Sequence, residues 1–188
     1  MQIEALSLPG VKLITPHVFS DERGFFLETW QANRYKEAGL PEFVQDNHSH
    51  SEQGTLRGLH FTVKKPQAQL VYVTSGEILD VVVDLRNGSP SFGQWSASIL
   101  SDDNHKQIFI PAGFAHGFLV IRGNADVHYK VTEFYDQDDE GGLNWADPDV
   151  AIDWQHEMPR ISPRDTEFPL LGNLTAERLP HVFFENTG

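Results

Sequence analysis

The chain contains no cysteine among its 188 residues, and this excludes disulfide scaffolds, thiolate zinc sites and cysteine nucleophiles together. It also lacks any apolar run near the roughly 18 residues of a membrane span. The N-terminal stretch MQIEALSLPGVKL has neither a basic n-region nor a long apolar segment, so a cytoplasmic location is expected rather than secretion. Positive charge is scarce: 14 bases stand against 27 acids, a formal net charge of −13. No basic run exceeds Lys64–Lys65, so neither nucleic acid nor an anionic membrane is an expected partner. An anionic ligand must instead be met by a few placed Arg or Lys residues, against the field of the whole chain. Internal repeats, linkers and low-complexity tracts are missing too. What is present, 39% hydrophobic and 11% aromatic residues, supports a packed core and excludes disorder, collagen and coiled coil. We expect a single domain over 1–188, with its core over about 20–150 and a helical C-terminal segment over about 160–180.

Local signals describe a chain of short strands with one or two short helices. A helix is predicted over Gln31 to Ala38, closed by Gly39 and followed by Pro41. A second starts at Ser162–Pro163, with Ser as N-cap and Pro at the first helical position. The clearest strand is Glu77 to Leu85: Leu79, Val81, Val83 and Leu85 share one face, while Ile78, Asp80, Val82 and Asp84 share the other. Further strands are predicted over 24–29, 43–49, 56–62, 69–74, 94–100, 107–110, 116–122 and 125–135. Strands at this spacing imply an antiparallel sandwich or barrel, with edges that a second copy could cover.

Several segments hold more polar and aromatic residues than packing needs. In Gln45–Ser51, alternation puts Gln45, Asn47 and Ser49 on one face and Asp46, His48 and His50 on the other. The two histidines at i and i+2 have a spacing that can hold a divalent metal, although two imidazoles alone are a weak signal. In Leu56–Phe61, strict alternation places Arg57 and His60 on opposite faces. They can share a site only if the strand is distorted, and Gly58 is the residue that permits a bulge. Pro111, Gly113 and Gly117 bracket a turn that delivers His116 to the start of a strand. Tyr129 shares a face with Val127 and Val131 and so points inward. Arg164 and Asp165 lie in the short C-terminal helix.

Taken in order, DERGFFLETW, QDNHSHS, LRGLHF, GEILDVVVDLRNGSPSFGQW, IPAGFAHGFLV and HYKVTEFY resemble the dTDP-4-dehydrorhamnose 3,5-epimerase family, over about residues 10–170. The resemblance implies an all-β, cupin-type double-stranded β-helix (jelly roll) with short flanking helices, assembled as a homodimer. It implies an isomerase that needs no metal or other cofactor. The substrate is a nucleotide-diphosphate 4-keto-6-deoxysugar, inverted at C3 and C5 in the supply of dTDP-rhamnose for lipopolysaccharide O-antigen. Its chemistry suits the residue types. A 4-keto group acidifies the C3 and C5 hydrogens, and inversion needs a base on one face, an acid on the other and a donor for the enolate oxygen.

By the same resemblance His60 is the base, hydrogen-bonded to Asp165, and Tyr129 is the acid. Arg23 and Arg57 meet the diphosphate; Phe26, Glu28, Gln45 and Asn47 hold the nucleotide, some of them across the dimer interface. His116, the Asp80 that faces it, and Tyr135 belong to the sugar pocket. Gln69 is a departure, since many family members have lysine there. Either Lys64 or Lys65 reaches in from the preceding loop, or the task is altered: inversion at one centre only, or a CDP-linked sugar. A metal-dependent cupin oxygenase or isomerase using His48, His50 and His116, and a sugar-binding jelly roll without catalysis, are the competing classes.

Overall fold

The computed structural model describes residues 1–182. In chain order it contains β1 (Gln2–Ala5), β2 (Lys12–Thr15), β3 (Val18–Asp21), β4 (Gly24–Leu27), α1 (Ala32–Glu37), β5 (Gln45–Ser51), β6 (Leu56–Thr62), β7 (Gln69–Asp84), β8 (Trp95–Ser101), β9 (Gln107–Ile110), β10 (Phe114–Val131), β11 (Glu140–Gly142) and α2 (Pro163–Thr166). Helix α1 has both predicted ends and α2 the predicted start. Gln31 caps α1, with its side chain accepting from the Arg34 N–H, and Gly39 beyond its end has φ +77. Ser162 caps α2, accepting from the Asp165 N–H, with Pro163 at the first position. No helix among the described residues is long and apolar enough to cross a membrane.

Two long strands organise everything else. β7 and β10 pair antiparallel from Gln69↔Val131 to Phe114↔Asp84, with shifts in register near their middles. Each bends there. At Gly76 (φ +78) the chain passes so close to Asn124 that an added Cβ would lie 2.3 Å from its carbonyl oxygen. The bend divides the strands between two faces of a sandwich. The first half of β7 pairs β9 and the second half pairs β8. The second half of β10 pairs β5, and its first half pairs β6. One face therefore runs β1-β2-β9-β7-β10-β5 and the other β8-β7-β10-β6-β11, with a separate β3–β4 hairpin. This is the cupin-type jelly roll. Strands expected separately over 69–74 and 77–85, and over 116–122 and 125–135, are in fact single bent strands.

The alternation predicted for 77–85 is realised on both faces of β7. Ile78 and Val82 join Val71, Val127 and Phe118 between the two sheets. Leu79, Val81, Val83 and Leu85 pack outward against Leu143, Val150 and Trp154 of the C-terminal loops. A third cluster places Tyr35 of α1 with Ile14, Leu70 and Phe109 beneath the first sheet. Asp84, at the end of β7, is fully buried and bonded by Arg86, Ser89 and Ser91. Between β5, β6 and β10 the interior stays open.

Candidate active site

The opening is a cavity of about 250 Å³ lined by residues of both sheets, among them Gln45, Asn47, Ser49, Gln69 and Tyr129 from one and Arg57, His60 and His116 from the other. On β5 alternation suffices to place them. Gln45, Asn47 and Ser49 face inward, and Gln45 Nε2 donates to Asn47 Oδ1 at 2.8 Å. His48 and His50 lie on the opposite face, where both bond Asp126 Oδ1 at 2.9 Å and His48 stacks on His128 at 4.4 Å. Among the described residues no group of three His, Asp or Glu side chains could hold a metal ion.

On β6 the distortion that a shared site requires is present. His60 is paired with His116, but Arg57 is paired with Phe118, so three steps on β6 oppose two on β10. Gly58 absorbs the extra residue at φ +117, with its backbone so close to β10 that an added Cβ would lie 2.6 Å from the Gly117 Cα. Arg57 and His60 thereby reach the same cavity. Arg57 is held by neutral acceptors, donating from Nε to Ser51 Oγ at 2.8 Å and from Nη2 to the His50 carbonyl at 3.3 Å.

His60 Nε2 donates to Asp165 Oδ1 at 2.9 Å. The second carboxylate oxygen accepts from the Gly58 N–H at 3.2 Å, which ties the bulge to the dyad. Burial pushes the Asp165 carboxyl up. The His60 hydrogen bond and charge, with the Gly58 and Ser162 bonds, outweigh this and hold it below the usual carboxylate range. With Nε2 committed, Nδ1 is the imidazole nitrogen free to accept a proton. It lies 3.8 Å from Glu140 Oε1. Across the cavity the Tyr129 hydroxyl is paired with Ser49 Oγ at 2.8 Å, and burial pushes it up to about 12. A second imidazole–carboxylate pair lies deeper, His116 Nε2 donating to Asp80 Oδ2 at 2.8 Å. Asp80 itself is wholly buried, and its Oδ1 has no hydrogen-bond partner.

Of the candidate residues, Gln45, Asn47, Arg57, His60, Gln69, His116, Tyr129 and Tyr135 line the cavity, while Asp165 and Asp80 stand behind their histidines. Arg23, Phe26 and Glu28 are elsewhere. They belong to the β3–β4 hairpin and the turn after it, where Arg23 pairs with Asp21, Glu28 pairs with Arg34, and Phe26 is 67% exposed. Lys64 and Lys65 do not reach in: both side chains are exposed, and their backbone N–H groups donate to Asp139. Two lining residues carry chemistry that sequence reasoning did not assign. Ser49 was visible in the alternation of β5. Glu140, on the three-residue β11 and paired with Arg164 at 2.7 Å, gave no periodic signal.

A family model described as dTDP-4-dehydrorhamnose 3,5-epimerase matches residues 5–173. The chain is 47% identical to the dTDP-4-dehydrorhamnose 3,5-epimerase of Pseudomonas aeruginosa over 170 residues, covering 89% of this chain and 94% of that one. It is 51% identical to that of Methanothermobacter thermautotrophicus over 153 residues, covering 81% and 83%. Among solved structures it is similar to the dTDP-6-deoxy-D-glucose-3,5-epimerase of Legionella pneumophila in complex with dTDP-4-keto-L-rhamnose. The TM-score is 0.94 at 45% identity, with 98% of each chain covered.

Proposed function

The chain belongs to the dTDP-4-dehydrorhamnose 3,5-epimerase family, and from that premise we propose how its residues invert a sugar. It is a carbohydrate epimerase acting at C3 and C5 of a dTDP-linked 4-keto-6-deoxyhexose. His60 Nδ1 removes the proton next to the keto group, and Asp165 holds the imidazole in the required tautomer and steadies the imidazolium that forms. Tyr129 delivers a proton to the opposite face of the enolate. Each positioned transfer group is worth about 10²- to 10⁴-fold in rate. The observation that supports this reading is that His60, backed by Asp165, and Tyr129 enter one cavity from facing sheets, the geometry an inversion needs.

The sugar and its enolate oxygen lie against Gln69 and His116, and Tyr135, Gln45 and Asn47 border the nucleotide. Arg57 takes the diphosphate, since a forked guanidinium suits phosphate oxygens. Arg23, Phe26 and Glu28 reach a pocket as part of a second copy, in a cytoplasmic homodimer. Supporting this is the hairpin itself, which exposes Phe19, Phe25 and Phe26 at 58%, 60% and 67% while standing outside its own chain's cavity.

Gln69 supports one second reading. A neutral amide donates to an enolate oxygen without adding charge, and no lysine of the preceding loop replaces it. A single-centre epimerase, or one acting on a CDP-linked sugar, would suit that weaker stabilisation. Proton NMR in D₂O separates the readings, using dTDP- and then CDP-4-keto-6-deoxyglucose. Loss of both the C3 and C5 proton signals on the dTDP sugar is the expected result. Loss at C3 alone, or only on the CDP sugar, would replace it.

A further inference from the structure

We propose, resting on the assignment of His60 and Tyr129 above, that the pocket contains its own proton-return path, in which Ser49 restores the proton of Tyr129 and Glu140 relieves His60 of its own. The need follows from proton balance. One inversion breaks a C–H bond and puts that proton on His60 Nδ1. It breaks the Tyr129 O–H bond and forms a new C–H bond on the other face. The site is left with an imidazolium and a phenolate, unable to act again until one proton has moved from the first to the second. A second inversion on the same sugar requires this reset while the pocket is occupied.

A polar group beside Tyr129 and another beside His60 Nδ1 can perform it. Tyr129 is half-buried, and its hydroxyl is paired with Ser49 Oγ at 2.8 Å. A serine hydroxyl both donates and accepts, so Ser49 can give its proton to the phenolate while taking one from water. It is half-buried and lies two residues from the exposed Asn47, so the inner face of β5 leads from the hydroxyl to the mouth of the cavity. A serine hydroxyl is a weaker acid than the phenol, so the two transfers are concerted, Ser49 taking a proton from water as it gives its own to the phenolate.

At the other end, Glu140 Oε1 lies 3.8 Å from His60 Nδ1, a separation that a small shift or one water closes. Its other oxygen is held by Arg164 at 2.7 Å and by the Tyr135 hydroxyl at 3.2 Å, both on exposed side chains. The imidazolium N–H bond breaks, the carboxylate takes the proton and passes it to solvent, and water supplies the one that Ser49 relays. No net proton is gained or lost. Ser49 and Glu140 thus act through Tyr129 and His60 rather than on the sugar.

Rapid-mixing experiments in D₂O with dTDP-4-keto-6-deoxyglucose compare the first exchange event with steady-state turnover. In Ser49→Ala and in Glu140→Gln, steady-state turnover should fall at least about tenfold more than the first event, and singly inverted sugar should accumulate. Ser49→Thr, which keeps a hydroxyl, should restore the wild-type ratio. Equal losses in both phases, or a Ser49→Thr ratio like that of Ser49→Ala, would overturn the relay and leave a packing role. His60→Ala and Tyr129→Phe test the underlying assignment separately: exchange at wild-type rate in either removes the premise itself.

Discussion

Asp165→Asn separates the charge of this carboxylate from its shape, and the surrounding bonds determine the outcome. One carboxylate oxygen accepts from His60 Nε2 at 2.9 Å and the other from the Gly58 N–H at 3.2 Å. An asparagine offers the same two partners one acceptor and one donor. If its oxygen faces His60, its NH₂ meets the Gly58 N–H donor to donor, and a buried N–H left unbonded costs about 1–3 kcal/mol. If the amide turns round, both bonds form, but Nε2 must then accept and the imidazole proton moves to Nδ1. The second arrangement wins, and in it the nitrogen proposed as the base is blocked. Loss of the charge-assisted bond to the developing imidazolium removes a further ~1.5–3 kcal/mol. Together, about 2.5–6 kcal/mol corresponds to a fall of roughly 10²- to 10⁴-fold in deuterium exchange at C3 and C5. Helix α2 should survive, because its cap bonds the backbone N–H of Asp165 and not the side chain. A folded Asp165→Asn protein that exchanges within tenfold of wild type would refute the dyad as described.

Other consequences are as direct. Burial raises Tyr129 to about 12, so its phenol keeps its proton at pH 10, and with Tyr129 as the proposed acid the alkaline limb of the rate profile should lie well above 10; a limb centred at 10 contradicts this. Tyr35 is raised to about 12 by burial in the same way, so the stability that both phenols contribute is complete below the unfolded value near 10 and is lost as pH rises through 12, which urea titration at several pH values measures. Gly58→Ala forces a Cβ to 2.6 Å from the Gly117 Cα at φ +117, and should cost about 2–6 kcal/mol of stability as well as activity; a loss below ~1 kcal/mol by chemical denaturation counts against the bulge. Asp84→Ala takes the carboxylate from Arg86, Ser89 and Ser91 and should cost about 3–5 kcal/mol by the same assay. Burial raises the Asp84 carboxyl, but those bonds hold it below its usual range, so its contribution is present at neutral pH and lost as pH falls through its folded value.

Much of the architecture was legible in residue order, and the misses have physical causes. Strands β6 and β9 run over their expected residues because apolar alternation and flanking turns agree there. Gly76 and Gly123 read as strand ends, yet pairing between β7 and β10 resumes on either side, so each is a bend. β1 was not predicted because all four of its residues are exposed, and β11 because three residues carry no period. In the site, alternation separated the two faces of β5 and turned Tyr129 inward. Gly58 was identified as the condition for Arg57 and His60 to meet. The bonded partners were another matter. Asp165 lies 105 residues from His60, and Ser49 lies 80 from Tyr129. Family resemblance supplied the first pair, and only the folded chain supplied the second.

The net charge of −13 sets the terms on which a diphosphate enters this cavity, and the arrangement of its charges meets them. The carboxylates nearest the site do not face the ligand bare. Asp165 is bonded by His60 and the Gly58 N–H, Asp80 by His116, and Glu140 by Arg164. Arginines elsewhere are largely consumed: Arg23 by Asp21, Arg34 by Glu28, Arg86 by Asp84, Arg122 by Asp102, Arg160 by Glu52. Arg57 differs. Among the described residues it forms no ion pair, and a serine hydroxyl and a backbone carbonyl fix its direction without cancelling its charge. An anion approaching an acidic surface gains nothing from long-range steering, which here has the wrong sign. Its affinity has to come at contact distance, from a guanidinium already oriented and still carrying its full charge.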